Sequence, residues 1–288
     1  MIFELLRLMR PHQWVKNTFV FIGLLFGHAW HDPHLVTQAV IAFTAFCLVS
    51  SSIYTINDIV DLQHDRQHPR KSKRPLASGS VSVSAAIVLA SLLSVLGLIL
   101  AYVASPTVLI ILSCYALMNI AYSLKLKHVV ILDVFIIAAG FMLRILAGTL
   151  GVGIAPSQWL LLCGLMVTLF LGFTKRRAEI IALNEDKASH RRVLEHYGPV
   201  LLDKMIGITA AGLIMSYSLY TMNPDTIRIH GTANLIYTVP FVMYGVFRYI
   251  YLLHHQNRGS DTAYDLVRDP HLILVVGLWA VVTFLLIA

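Results

Sequence analysis

Residues Leu35–Asp65 read LVTQAVIAFTAFCLVSSSIYTINDIVDLQHD, and the fold turns on this stretch. Its first 22 residues, Leu35 to Ile56, carry no charge. An α-helix rises about 1.5 Å per residue, so a run of this length crosses the roughly 30 Å hydrocarbon layer of a bilayer. The residues that follow have the opposite character, with Asn57, Asp58, Asp61 and Asp65 gathered within one short segment. An apolar span opening onto an acidic cluster predicts a membrane helix with chemistry at one end.

Further apolar runs lie at 18–30, 83–104, 107–124, 129–150, 158–174, 201–222, 233–252 and 271–287, giving nine candidate spans in all. Only 13% of the 288 residues are charged and 57% are hydrophobic, whereas a soluble domain carries about 25% charged residues. Backbone facing lipid must satisfy its own hydrogen bonds, and runs this long are helices and not barrel strands. The expected architecture is therefore an all-α membrane protein, a bundle of nine transmembrane helices forming one domain over residues 1–288. No linker or low-complexity tract interrupts it. The longest polar stretches, 57–82 and 175–200, follow the second and sixth spans and hint at a repeated four-span unit with one extra helix.

Charge placement sets the expected orientation. Of the 22 Lys and Arg residues, only Arg228 falls in an outer loop and only Arg144 deep in a span when the N-terminus is placed inside. The rest lie in inner segments or near inner helix ends, as the positive-inside rule requires. The net charge of +7 is then a topology signal, and no nucleic-acid partner is implied. The expectation is a multi-pass protein of a bacterial-type inner (plasma) membrane, N-terminus cytoplasmic and C-terminus outside, without a cleavable signal. Cys47, Cys114 and Cys163 sit inside apolar runs without metal-ligand spacing and read as packing residues.

If the second span continues through the acidic segment, steps of 3, 4 and 4 residues put Asn57, Asp58, Asp61 and Asp65 on one helix face. Carboxylates crowded beside a membrane repel one another unless a cation lies among them. Hard oxygen donors suit Mg²⁺, which completes its shell with water and substrate phosphate. Arg66, Arg70, Lys71, Lys73 and Arg74 follow, cations suited to phosphate oxygens. A solvated helix end beside an ordinary positive-inside loop is the plainer alternative.

The pattern Asn57-Asp-x-x-Asp-x-x-x-Asp65, the following Lys73-Arg74-Pro75 and the nine spans resemble the UbiA superfamily of membrane prenyltransferases. That resemblance implies an active site at the cytoplasmic face, where two aspartate-rich motifs hold a prenyl diphosphate through Mg²⁺. The first motif matches residue for residue. Where the second is due, the chain reads Lys175-Arg176-Arg177-Ala178-Glu179, with three cations and one carboxylate. Together with Arg10-Pro11-His12-Gln13-Trp14-Val15-Lys16-Asn17, Tyr122-Ser123-Leu124-Lys125-Leu126-Lys127-His128, Asp133 and Arg144, this segment resembles the branch of decaprenyl-phosphate phosphoribosyltransferases.

The resemblance implies transfer of 5-phosphoribose from phosphoribosyl pyrophosphate to a polyprenyl phosphate. Asn57, Asp58 and Asp61 are then metal ligands, and Asp58, Asp61 and Lys16 are catalytic. Asn57, Asp65, Arg66, Arg74, Tyr122, Lys127, Asp133, Lys175 and Arg176 are substrate contacts. The implied partners are the two substrates and the lipid bilayer, with oligomeric state left open, a homo-oligomer included. The nearest rival is an aromatic-acceptor prenyltransferase with a prenyl diphosphate donor. A transporter or lipid-binding protein is the rival from another class. Arg144 is open between a buried helix contact and a lining for the lipid phosphate.

Overall fold

The computed structural model describes residues 2–68, 71–185, 197–255 and 268–287, and all its regular elements are helical. Helix α1 (Ile2–Met9) leads into a 3-10 segment (Pro11–Phe21) and the short α2 (Ile22–Phe26). Then come α3 (Pro33–Val60), α4 (Leu62–Gln67), α5 (Val83–Ala104), α6 (Pro106–Leu124) and α7 (Leu132–Ala147). The chain continues through α8 (Gln158–Glu185), α9 (Pro199–Met222), α10 (Pro224–His230), α11 (Val239–His255) and α12 (Pro270–Ile287).

Among the described residues, eight helices are long and apolar enough to cross a membrane. The run expected as the first span, 18–30, takes another form, split between the 3-10 segment and five-residue α2. Its backbone packs directly on another: a Cβ on Gly148 would lie 1.6 Å from the Val20 carbonyl oxygen. One on Gly23 would lie 2.0 Å from the Gly148 carbonyl oxygen. Only glycine permits approaches this close.

The contacts divide the chain into two units, residues 1–127 with 140–156, and residues 128–139 with 157–288. In the first, Asp32 caps α3 by accepting from the His34 and Leu35 amides at 2.9 and 3.3 Å. Helix α5 turns Ala86, Ala90, Gly97 and Ala101 inward and leaves Ile87, Val88, Val95 and Ile99 exposed. Small residues inside and large apolar ones outside invert a soluble helix's pattern, because lipid solvates apolar surface and tight packing needs small side chains. A Cβ on Gly97 would lie 2.7 Å from Val49, so α3 and α5 pack closely along this stripe. Ser52 fastens the pair, donating to the Ala90 carbonyl at 2.8 Å.

The second unit is built around α8 and α9. Phe170 and Phe173 from α8 and Leu202, Ile206 and Leu213 from α9 form its core with Val134 and Ala138 of α7. Leu252 and Leu253 of α11 and Leu272 of α12 complete that core. Helix α8 does not stop where the polar stretch 175–200 was expected to begin as a loop; it carries Lys175, Arg176 and Arg177 as a further helical extension.

Candidate active site

The acidic segment is almost, but not wholly, one helix. Helix α3 ends at Val60, and Asp61 joins it to α4 with φ −86° and ψ 5°. Backbone bonds cross the joint, from the Asp61 amide to Asn57 and from the Asp65 amide to Asp61, each 2.9 Å. The four side chains nevertheless differ in surroundings. Asp58 and Asp65 are buried, Asn57 is half-buried, and the Asp61 side chain is 40% exposed.

The buried carboxylates are held by cations. Arg74 Nη1 donates to Asp58 Oδ1 at 3.0 Å and to Asp65 Oδ2 at 2.5 Å, so one guanidinium joins the two. Lys71 stands 3.8 Å from Asp65, and Lys127 stands 3.7 Å from Asp61. Arg10 Nη2 donates to the same Asp58 oxygen at 2.5 Å. Four cations thus attend three carboxylates, an arrangement suited to anionic phosphate groups. Lys16 and Arg66 are exposed, and Tyr122 is half-buried at the end of α6. Arg70 lies outside the described residues.

Among the described residues, no three His, Cys, Asp or Glu side chains converge on one point as a ready metal cage. Mg²⁺ needs no such cage, since one or two carboxylates with water and substrate oxygens complete its shell. Asp61 meets that requirement: it is accessible, and Lys127 is its one ion-pair partner among the described residues. Asn57 and Asp58, one turn back on α3, add oxygen donors of the same hard class. The residues therefore fit Mg²⁺ held jointly with a phosphorylated substrate.

In the second unit, Asp133 and Arg176 meet each other. Arg176 Nε donates to Asp133 Oδ2 at 2.7 Å and its Nη1 to Glu179 Oε2 at 2.5 Å, with Arg176 only 2% exposed and Asp133 fully buried. Tyr197 donates to the other Asp133 oxygen at 2.7 Å and accepts from the Ile131 amide at 2.5 Å. Burial, and then the Asp133 carboxylate, push the Tyr197 phenol well above its ordinary range, which keeps it a proton donor. Arg177 pairs with Asp203 at 2.5 Å. Of the three cations in Lys175-Arg176-Arg177, Lys175 is the exposed one. Asp133, Glu179 and Asp203 neutralise charges that, along the sequence, look like a basic cluster.

Arg144 is buried in the first unit. It donates to Asn17 Oδ1 at 2.7 Å, the Gly140 carbonyl at 2.8 Å and Tyr115 Oη at 2.8 Å. Its guanidinium lies 4.6 Å from the Tyr115 ring and 5.5 Å from that of Phe141. This is the helix contact of the two expected alternatives, fastening the 3-10 segment to α6 and α7. Arg144→Met strands the Asn17 amide and the Tyr115 hydroxyl. Unpaired buried polar groups cost about 1–3 kcal/mol each, so the expected loss is about 2–4 kcal/mol, read as a lower unfolding midpoint in detergent.

Over residues 18–266, most of its length, the sequence matches the UbiA prenyltransferase family. The chain belongs to this family. As a UbiA-family protein with eight membrane-length apolar helices, it is a multi-pass membrane transferase. It is 34% identical over 225 residues to the decaprenyl-phosphate phosphoribosyltransferase of Mycolicibacterium smegmatis, covering 77% of this chain and 71% of that one. The enzyme of the same name from Mycobacterium tuberculosis is 30% identical over 244 residues, covering 83% and 80%. A UbiA homolog from Archaeoglobus fulgidus, solved with DMAPP and Mg²⁺, shares the fold with a TM-score of 0.74 over 99% of both chains at 18% identity.

Three partners at this UbiA-family site carry no role in the sequence pattern: Arg10, which stands in the Arg10–Asn17 segment, Tyr197 and Asp203. Arg10 and Tyr197 are far in sequence from the carboxylates they touch. Asp203 sits in the first turns of α9 beside Lys204, and nothing local marks it as the partner of Arg177.

Proposed function

We propose that the protein transfers 5-phosphoribose from phosphoribosyl pyrophosphate to a polyprenyl phosphate of the decaprenyl type, at the cytoplasmic membrane face. The observation that carries this reading is the likeness over most of the chain to two enzymes named for that reaction. The cluster's chemistry agrees, because four cations around Asp58, Asp61 and Asp65 suit a substrate rich in phosphate.

Asn57, Asp58 and Asp61 would hold Mg²⁺, which when bound neutralises charge on the pyrophosphate leaving group. Arg74, Lys71 and Lys127 grip phosphate oxygens by exchanging them for the carboxylates they now face, with Arg66 and Lys16 as further contacts; Lys175, exposed on α8, is assigned to substrate as the resemblance implies. Tyr122, five residues before Lys127 in the chain, is assigned to substrate on the same ground. In the reaction the bond from ribose C1 to pyrophosphate breaks as a bond forms from C1 to an oxygen of the lipid phosphate. That oxygen is already anionic, so no general base is required. The protein's task is positioning and stabilising the charge that builds on the leaving pyrophosphate. Asp133 and Arg176 contribute by holding each other in place beside Tyr197.

The test supplies purified protein and Mg²⁺ with labelled phosphoribosyl pyrophosphate and polyprenyl phosphate. A parallel reaction supplies a prenyl diphosphate with an aromatic acceptor. Label is expected in the lipid fraction of the first reaction only, and removal of Mg²⁺ by a chelator is expected to stop it. Product in the second reaction alone would replace phosphoribosyl with prenyl transfer.

A further inference from the structure

Arg10 occupies an unusual backbone position. It follows α1 and precedes Pro11, with φ 55° and ψ 59°, the left-handed region. Glycine is the usual residue where a helix ends this way, because a Cβ is disfavoured there. A residue before proline is also steered away from helical backbone angles. The chain therefore keeps a long charged side chain where its backbone favours none. Such strain is held by surrounding contacts and concentrates at functional sites.

The side chain shows what the position supplies. Only Nη2 is engaged in a hydrogen bond, on Asp58 Oδ1, and the guanidinium lies 5.3 Å from the centre of the Tyr54 ring. Nε and Nη1 donate to nothing among the described residues, and the side chain is 24% exposed. Arg74 already binds the same Asp58 oxygen, and Lys71 stands near the Asp65 that shares Arg74, so the two carboxylates are matched in charge without Arg10. Arg10, Arg74 and Lys71 set three cations against the two carboxylates Asp58 and Asp65, and Arg10 keeps N–H donors on Nε and Nη1. Guanidinium N–H donors of this kind are well matched to phosphate oxygens.

We infer that Arg10 is a phosphate ligand of this site, anchored by Asp58 through Nη2 and offering its remaining N–H donors to a phosphoryl group. The inference rests on the reading that the acidic cluster handles a phosphorylated substrate. The phosphate could be that of the pyrophosphate-bearing donor or of the prenyl acceptor, and the two share the same recognition chemistry.

The experiment measures calorimetric binding of two probes to purified protein in detergent: inorganic pyrophosphate with Mg²⁺, and geranyl monophosphate. Wild type is compared with Arg10→Gly and Arg10→Lys, with unfolding midpoints recorded alongside. Arg10→Gly relaxes the backbone and removes the donors. Arg10→Lys keeps a cation for Asp58 but lacks the further nitrogens of the guanidinium. Both variants are expected to unfold within a few degrees of wild type and to bind one probe roughly tenfold more weakly, the worth of a lost charge-assisted hydrogen bond. Loss confined to pyrophosphate assigns Arg10 to the donor, and loss confined to geranyl phosphate assigns it to the acceptor. Wild-type affinity of Arg10→Gly for both probes overturns the inference and leaves the phosphate reading standing. Weaker binding that only follows a collapse in unfolding midpoint also overturns it, making Arg10 a structural residue. Failure of the wild type to bind either probe removes both readings.

Discussion

Asp61→Ala is expected to reduce transfer by about a thousandfold or more while the protein stays inserted and folded. The activity loss follows from its proposed place as the accessible oxygen donor for Mg²⁺. A metal that neutralises a leaving group contributes several kcal/mol to the transition state, and about 1.4 kcal/mol is a factor of ten. Preserved folding follows from geometry. The side chain is 40% exposed, and its ion pair with Lys127 is long, at 3.7 Å. Exposed pairs of this kind contribute about 0–1 kcal/mol. The joint at φ −86° and ψ 5° is open to alanine. The check is turnover and unfolding midpoint on the same purified sample, and full activity would end the metal assignment. Asp58→Ala would be less informative, because it releases Arg10 and Arg74 together and mixes stability with chemistry.

The largest effect on stability is expected from Asp133→Ala. Asp133 is fully buried, Arg176 is 2% exposed, and they pair at 2.7 Å. Removing one member of a buried ion pair leaves the other uncompensated, at about 3–5 kcal/mol. Glu179 retains part of the guanidinium, which moves the expectation to the lower end, about 3 kcal/mol. Tyr197 also loses its acceptor. The double variant Asp133→Leu with Arg176→Met is expected to recover much of that loss, since a well-packed apolar pair can replace a buried ionic one. Thermal unfolding of the singles and the double gives the coupling. Were Asp133 chiefly a substrate contact, its single variant would stay stable, lose activity, and show no rescue by the second change.

Arg176 shows why the candidate site was only partly legible. Along the chain, Lys175, Arg176 and Arg177 form a run of positive charge, and like charges in sequence suggest a grip for an anion. Apart from Glu179, one turn on, their carboxylate partners stand 43 residues before Arg176 and 26 residues after Arg177. No local pattern announces such a pairing. Arg144 is the converse case. Its depth in an apolar run already required a partner, since an isolated charge in lipid is costly. The partner proved to be Asn17, 127 residues away, with Tyr115 and a backbone carbonyl.

The sequence by itself determined that this is an all-helical membrane protein of the UbiA type with an acidic cluster at the end of one span. Those conclusions rest on local quantities: the length of uncharged runs, the scarcity of charge, and the short steps between Asn57, Asp58, Asp61 and Asp65. Tertiary structure alone decided which of those carboxylates is open and which are held. It split the acidic helix at Asp61, placed Arg74 across Asp58 and Asp65, and brought Arg10 to the same oxygen. It also built the 18–30 run as a 3-10 segment and a short helix against Gly148. The physical reason is common to all of these. Hydropathy and helical spacing act within a few turns, whereas burial and charge pairing depend on residues that only the packed chain brings together.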